Sequence, residues 1–216
     1  MPIYGVYGAS GFGREVMPLL RDTLSHSKIA FKKLVFIDDG ASEKEINGFQ
    51  VCSYEEFLSI EASSKHVALA IANNKVREKL TARCQSDNVE LLSIQANNVV
   101  VMDKVSIGAG AILCPFVTLT SNICIGKQFQ ANIYSYVAHD CVIGDYVTFA
   151  PGVKCNGNVK IEDHAYIGTG AILKQGTPGK PLVIGKGAVV GMGAVVTKSV
   201  EPFSTVIGNP ARPLNK

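Results

Sequence analysis

Val101-Met-Asp-Lys-Val-Ser-Ile107-Gly-Ala-Gly-Ala-Ile-Leu113 opens a stretch that repeats in sixes and runs to about Pro202. One column of the repeat holds branched or apolar residues: Val101, Ile107, Leu113, Leu119, Ile125, Ala131, Val137, Ile143, Phe149, Cys155, Ile161, Ile167 and Leu173. A second, mostly smaller column follows four places after each, from Val105, Ala111 and Val117 through Ser135 and Cys141 to Ala165 and Ala171. The register breaks after Leu173 and resumes at Ile184, Val190 and Val196, with Ala188, Ala194 and Val200 in the small column. Neither a helical period nor simple alternation produces this pattern. A hexapeptide repeat winding a parallel β-helix does.

In such a solenoid each six makes a short strand and a corner, and three sixes make one triangular coil. A single coil cannot bury its inward face, but a stack of coils can. The expected rise is about 4.8 Å per coil, the inter-strand spacing. Glycine follows the first column at Gly108, Gly126, Gly144, Gly168, Gly185 and Gly191. A side chain there is expected to be crowded or to need an unfavourable φ. Between Leu173 and Ile184 the chain carries five residues more than the register allows, rich in Gly and Pro, which reads as an outward loop. The tail after Val200 leaves the repeat and is expected to cover the open end of the stack.

Before the solenoid the pattern changes. Ile3 to Tyr7 reads as a strand, Gly8-Ala-Ser-Gly-Phe-Gly13 as a Gly-rich turn, and Arg14 to Leu24 as a helix. This is the opening of a nucleotide-binding βαβ unit, although the G-x-x-G-x-G spacing differs from the usual fingerprint. Further strands are expected at Leu34–Ile37, Phe49–Val51, His66–Ala72 and Leu91–Ile94, with helices at Tyr54–Ile60 and from Lys75 to about Cys84. Gly8–Gly13, Asp38–Asp39, Gly48 and Ala72–Asn74 are then expected to converge on one sheet edge, where such sheets bind ligands. The expected organisation is α/β plus all-β: a Rossmann-like domain over residues 1–95, then a β-helix domain with its tail over 96–216.

Composition narrows the function. Charged residues make up 18% of the 216 residues and the net charge is +3, no footprint for nucleic acid or a membrane surface. The N-terminus lacks a signal-peptide pattern, and the six cysteines show no C-x-x-C spacing, so reduced thiols and a cytoplasmic location are expected.

Of the four histidines, His139 falls near a corner and is followed by Asp140. A carboxylate beside an imidazole orients the ring and supports a general base; an exposed corner pair without a role is the bland alternative. Counting 18 residues per coil puts Ser121 and Gly157 below and above His139, and Asn122 and Asn158 beside Asp140. The Gly157 N–H is then a candidate donor to a thioester carbonyl as charge develops on its oxygen. Lys186, Lys198 and Arg212 are candidates for the phosphates of a coenzyme that carries the thioester, with solvated cations as the bland reading.

The repeat consensus resembles the left-handed β-helix acyltransferases, which supplies the handedness. Ser135-Tyr-Val-Ala-His-Asp-Cys-Val-Ile-Gly-Asp145 and Val153-Lys-Cys-Asn-Gly-Asn-Val-Lys160 resemble the bacterial sugar O- and N-acetyltransferases. So do Tyr7-Gly-Ala-Ser-Gly-Phe-Gly13, Phe36-Ile-Asp-Asp39, Ile71-Ala-Asn-Asn74 and Ile207-Gly-Asn-Pro-Ala-Arg212, so the likeness spans essentially the whole chain. That group includes sialic-acid O-acetyltransferases and enzymes acting on nucleotide-linked 4-amino sugars.

The resemblance implies acetyl transfer from acetyl-CoA to the amine of a UDP-linked 4-amino-4,6-dideoxy sugar, of bacillosamine type, for surface glycan synthesis, with no metal. It implies that Ser10, Gly11, Phe12, Gly13, Asp38 and Asp39 meet the nucleotide, with Ala72 and Asn73 at its edge. It implies His139 as base, Asp140 as its support, and acetyl-CoA lying between subunits of a homotrimer. Thr169 and Met192 match coenzyme contacts, and Thr148 is counted with them as a coenzyme-binding candidate, its contact weaker than or different from that of a histidine. Phe12 and Thr148 stand where several relatives carry His, and Asp140 where some carry Glu. The competing readings are a sugar O-acetyltransferase, a non-catalytic nucleotide-sugar scaffold, and a zinc enzyme, which would need three histidines where the repeat offers only His139 and His164.

Overall fold

The computed structural model describes residues 1–214 and divides into two compact units, Met1–Ile94 and Gln95–Lys216.

The first unit is a mostly parallel sheet with helices. In chain order its elements are β1 (Ile3–Tyr7), α1 (Gly11–His26), β2 (Lys33–Ile37), β3 (Glu45–Ile46), β4 (Phe49–Cys52), α2 (Tyr54–Ser59), β5 (Lys65–Leu69), α3 (Asn74–Ser86) and β6 (Glu90–Leu91). The strand order is β3-β4-β2-β1-β5-β6, with only the β3–β4 hairpin antiparallel. Strands β1, β2 and β5 are apolar nearly throughout because both faces are covered, as parallel sheets require. Helix α2 starts with a full capping box, Ser53 accepting from the Glu56 N–H and Glu56 accepting from the Ser53 N–H.

Two expectations about this unit are corrected. Gly48 sits in the β3–β4 turn, at the amino end of β4, so it lies away from the edge formed by the strands' carboxyl ends. That strand delivers Cys52 and Ser53 to the edge instead, through the parallel pairing of Ile37 with Cys52. The last strand is also split: Glu90–Leu91 closes this sheet, whereas Ile94–Gln95 already belongs to a solenoid sheet beside Ile112–Leu113.

The second unit is a three-sided left-handed β-helix. Each strand pairs in parallel with the one 18 residues on: Leu119 with Val137, Val137 with Cys155, Ile125 with Ile143, Ala131 with Phe149. Across the loop the offset becomes 23, as Leu173 pairs with Val196. Both inward columns form one continuous core from Ala111 to Val206. The exception is the first turn, where Val101 is 39% exposed. Ser135 is the polar member of the inward column, and its hydroxyl is satisfied, donating to the Ala150 carbonyl and accepting from the Val153 N–H. Val206 pairs with Pro213 in an antiparallel ribbon that ends the stack.

The corner glycines are confined by space alone. A Cβ on Gly108 would come 2.5 Å from the Lys127 nitrogen in the next coil, and one on Gly144 2.7 Å from the Asp163 nitrogen. None of that column has a positive φ; the left-handed conformation falls three places after the first apolar column instead. It recurs at Phe116, Asn122, Gln128, Tyr134, Asp140, Tyr146, Asn158 and His164, and at Gly110, Gly152, Gly170, Gly187 and Gly193. Each corner from Lys104 to Gly193, except where the loop leaves after Leu173, therefore turns on one left-handed residue, and Asp140 is one of them.

Candidate active site

The pairing offsets sort the corner residues onto three edges of the prism. Two places after the buried Leu119, Val137, Cys155, Leu173 and Val196 come Ser121, His139, Gly157, Gln175 and Lys198, one edge. A second edge carries Lys127, Asp145, Asp163 and Lys186. A third carries Ile133, Pro151, Thr169 and Met192.

On the first edge the His139 Nδ1 lies 2.7 Å from Asp140 Oδ2, and Asn122, one coil below, donates to Asp140 Oδ1 at 3.1 Å. The left-handed corner at Asp140 turns its carboxylate back toward the preceding ring. The hydrogen bond from His139, then the one from Asn122, hold the Asp140 carboxyl below the usual carboxylate range. A carboxylate at Nδ1 fixes the tautomer with the proton there and leaves the Nε2 lone pair available. Gly157 packs against the ring: a Cβ on it would stand 2.5 Å from both Cε1 and Nε2. Only glycine permits that approach.

The same position in each coil leaves an N–H outside the strand ladder. On the second edge acidic side chains take it up, Asp145 Oδ1 accepting from the Lys127 N–H at 2.9 Å and Asp163 Oδ1 from the Asp145 N–H at 3.0 Å. On the His139 edge no acidic side chain does so, and the Gly157 N–H has no partner among the described residues. An amide donor beside an imidazole acceptor is the pair of functions acyl transfer needs.

Beneath this corner Cys141 accepts from the Val159 N–H at 3.4 Å and donates to the Asn156 carbonyl at 3.3 Å. The hydrogen bond with the neighbouring Cys141, then burial, push the Cys155 thiol well above its ordinary range. All six cysteines are free.

The candidate coenzyme residues scatter. Thr169 and Met192 stack in one column, the Gly193 N–H donating to the Thr169 carbonyl at 2.8 Å, and Met192 is 80% exposed. They stand on a different edge from His139. Lys186 lies on the remaining edge and pairs with Asp163 at 3.6 Å, so its charge is already engaged. Thr148 is 2% exposed in its strand and offers no open surface for a coenzyme contact, a correction to its expected role. Arg212 lies in the terminal ribbon and shares an open cavity of about 330 Å³ with Lys198.

In the first unit the carboxyl edge of the sheet separates structural from open groups. Gly13 is structural: a Cβ there would sit 1.7 Å from the Gly8 carbonyl oxygen, so helix and strand meet only because it has none. Asp38 accepts from the Ala9 N–H at 2.9 Å and the Gly40 N–H at 3.0 Å, tying the Gly-rich turn to β2. Asp39 accepts from the Tyr7 hydroxyl at 2.5 Å and the Tyr54 N–H at 2.8 Å. Burial and that carboxylate push the Tyr7 hydroxyl well above its ordinary range. Asn73 Oδ1 caps α3 through the Val76 N–H. Ser10 caps α1 with its backbone only, its hydroxyl making no capping bond. Ser10, Gly11 and Ala72 are exposed, Phe12 is half-buried, and nothing lies within 4 Å of a Cβ built on Gly11. Arg77, which sequence reasoning passed over, is fully buried and donates to the Ile71 carbonyl at 2.6 Å, supporting the Ala72–Asn73 turn from beneath.

Among the described residues, no group of three or more His, Cys, Asp and Glu could hold a metal ion. His139 and His164 stand at different corners, His164 stacking on Tyr146 at 5.2 Å. No helix is long and apolar enough to cross a membrane.

Comparison with known proteins places this geometry. Residues 5–84 match the PglD N-terminal domain. The chain is 52% identical over 216 residues to a GDP-perosamine N-acetyltransferase of Escherichia coli O157:H7, covering 100% of this chain and 98% of the relative. Its fold matches WeeI from Acinetobacter baumannii AYE with a TM-score of 0.96 at 63% identity, over 99% of this chain and 100% of that one. It also matches the acetyltransferase domain of PglB from Neisseria gonorrhoeae FA1090, solved with acetyl coenzyme A, with a TM-score of 0.85 at 27% identity, over 98% of each chain. Full-length identity above one half, joined to an intact imidazole–carboxylate corner, makes the assignment: the chain belongs to the sugar acetyltransferase family, as an acetyltransferase that uses acetyl-CoA.

Proposed function

We propose that this enzyme acetylates the 4-amino group of a nucleotide-linked amino sugar used in bacterial surface glycan synthesis, with His139 as general base. The observation that carries the proposal is the 2.7 Å His139–Asp140 contact, with Nε2 left without a partner among the described residues. Nε2 accepts a proton as the neutral amine attacks the thioester carbonyl. The Gly157 N–H donates to the oxyanion of the tetrahedral intermediate. The intermediate collapses, the C–S bond breaks, and the proton held on the imidazole passes to the departing thiolate. Asp140, Asn122 and the left-handed corner keep the ring in the productive tautomer and orientation.

The exposed groups Ser10, Gly11 and Ala72 around the free start of α1 support the first unit as the holder of the nucleotide. The relative from Escherichia coli is named for a GDP-linked amino sugar, whereas sequence resemblance implies UDP, so the nucleotide is decided by assay. Thiol release from acetyl-CoA is measured against UDP-, GDP- and dTDP-linked 4-amino sugars and a hydroxyl-only analogue. An amine acceptor should be required, and His139→Ala should slow turnover about 10²–10⁴-fold. Unchanged turnover in that variant overturns the assignment of His139.

A homotrimer completes the proposal. Thr169 and Met192 stand one prism edge from His139, roughly 15–20 Å for a side of six residues. A coenzyme in a cleft between two prisms can touch the His139 edge of one and the Thr169–Met192 edge of the next. Sedimentation equilibrium should give three times the mass of the chain.

A further inference from the structure

Two aromatic rings stand on the third edge of the prism, one side away from His139. Phe116 and Tyr134 hold the left-handed position of successive coils, and their rings stack with 4.8 Å between centroids and 2° between planes. That separation matches the rise of about 4.8 Å from one coil to the next. Backbone keeps the corner in register, the Tyr134 N–H donating to the Pro115 carbonyl at 3.2 Å and the Gly152 N–H to the Ile133 carbonyl at 2.9 Å. Yet the rings stand in the open, Phe116 52% and Tyr134 62% exposed. The comparable stack on the second edge is closed: Tyr146 and His164 stack at 5.2 Å, but Tyr146 is 3% exposed and Lys127 stands 5.5 Å from its ring centre. Packing within the chain accounts for Tyr146 and not for Tyr134.

Phe116 covers one face of Tyr134, and the other face looks toward the next coil. The same corner position there is Gly152, and one coil further Gly170. A Cβ built on Gly152 would meet only the Gly170 nitrogen, at 4.0 Å, and one on Gly170 nothing within 4 Å. The left-handed corner does not itself demand glycine, since Tyr134 and Asp140 adopt it. The upper face of Tyr134 is therefore an open shelf with room above it for a ring.

The shelf is level with the reactive corner. A coil of 18 residues that rises about 4.8 Å climbs about 0.27 Å per residue. Tyr134 precedes His139 by five residues and so lies about 1 Å below it, whereas Thr169 lies about 8 Å above it and Met192 about 13 Å above. A threefold axis parallel to the solenoid changes no height. In the proposed homotrimer, where the third edge of one prism faces the His139 edge of the next, Tyr134 of the partner subunit stands opposite His139 at its own level. A ring resting on that shelf comes to the height of Gly152, between His139 and Gly157, where the reacting atoms must lie. A pyranose offers one such ring, since it shows C–H bonds on its face and an aromatic face is the negative side of the ring quadrupole.

We infer that Tyr134 of one subunit, backed by Phe116, is the platform on which the acceptor sugar ring lies while His139 of the neighbouring subunit takes the proton from its amine. This rests on the proposed homotrimer and on the proposed use of His139. Tyr134 binds and orients the sugar and takes no part in proton transfer.

The test uses the full chain with acetyl-CoA and the nucleotide-linked 4-amino sugar that supports turnover. Tyr134→Ala should raise KM for that acceptor about tenfold, the upper end for an aromatic contact. Tyr134→Phe, which keeps the ring, should stay within about twofold of wild type. Both should keep the KM for acetyl-CoA and the mass by sedimentation. Chains carrying His139→Ala are then co-expressed in equal amount with chains carrying Tyr134→Ala. Base and platform come from different chains, so about half of the sites that retain His139 should regain the wild-type acceptor KM. A mixture with only the raised KM overturns the inference, as does an unchanged acceptor KM in trimeric Tyr134→Ala. Loss of the trimer in Tyr134→Ala also overturns it, because the rings are then a subunit contact. Monomeric wild type overturns the homotrimer and the inference together. Full activity of His139→Ala alone overturns the reading of His139, and the acceptor KM of Tyr134→Ala still judges the platform.

Discussion

Gly157 lies against the imidazole of His139, one coil above it, so closely that a single methyl group on its Cα would fall 2.5 Å from Nε2. Its backbone is not left-handed, so alanine is compatible with the local conformation and only the ring stands in the way. Gly157→Ala should therefore fold and keep its melting temperature within a few degrees while pushing the ring off its productive position. Misplacement of that size costs roughly 10²-fold in rate. Initial rates at saturating substrate, beside a thermal melt, check it; full activity would show that the ring works from some other rotamer.

The Asn122–Asp140 hydrogen bond has a consequence for pH. The folded-state pKa of Asp140 is depressed, first by His139 and then by Asn122. A depressed carboxyl contributes stability that is present above its unfolded pKa and is lost as pH falls through the folded value. Asn122→Ala removes one cause, so the Asp140 carboxyl should titrate at higher pH than in wild type, read by carboxyl-carbon NMR. The accompanying fall in activity should be smaller than that of Asp140→Asn, which removes the charge outright. Identical Asp140 midpoints in both proteins would mean that the amide contact is not maintained in solution.

The columns that build the solenoid were readable in the sequence because each residue repeats its environment every coil and burial follows directly. The reactive corner was readable for the same reason, since counting 18 places Gly157 and Asn122 around His139–Asp140. The left-handed corner positions were misplaced onto the glycine column because their occupants, such as Asn122, Gln128, Tyr134 and His164, share no side-chain type. The edge shared by His139 and Lys198 was hidden by the insertion, which changes the offset from 18 to 23. In the first unit an aspartate pair at a strand end looks the same whether it reads a ribose or ties down a turn. The bonds of Asp38 to Ala9 and Gly40, and those of Asp39 to Tyr7 and Tyr54, show the second role.

Gly11 and Gly13 separate packing from ligand approach within one turn. A Cβ on Gly13 meets the Gly8 carbonyl oxygen at 1.7 Å, whereas one on Gly11 meets nothing within 4 Å. Gly13→Ala must push α1 off β1, an overpacking penalty of about 1–3 kcal/mol or more, which lowers Tm by on the order of 10 °C. Gly11→Ala should leave Tm unchanged and raise KM for the nucleotide sugar, with kcat and the KM for acetyl-CoA held. Loss of stability in the Gly11 variant would remove the argument that its surface is reserved for a ligand.

Thiol reactivity tests the core of both units at once. Cys124 points outward and is exposed; Cys52, Cys84, Cys114, Cys141 and Cys155 are buried. Burial pushes the Cys52 thiol up to about 11, so it carries little thiolate at neutral pH even when the sheet edge breathes. Cys141 and Cys155 face the solenoid interior, where reagent enters only if coils separate. A disulfide-exchange reagent at pH 8 should therefore label one thiol per chain quickly, and Cys124→Ser should abolish that phase. The remaining five should react together only with denaturant, at the midpoint seen by circular dichroism. Early labelling of Cys141 or Cys155 in native protein would mean that the corner beneath His139 opens locally, and the rigid placement of the ring on Gly157 would fail with it.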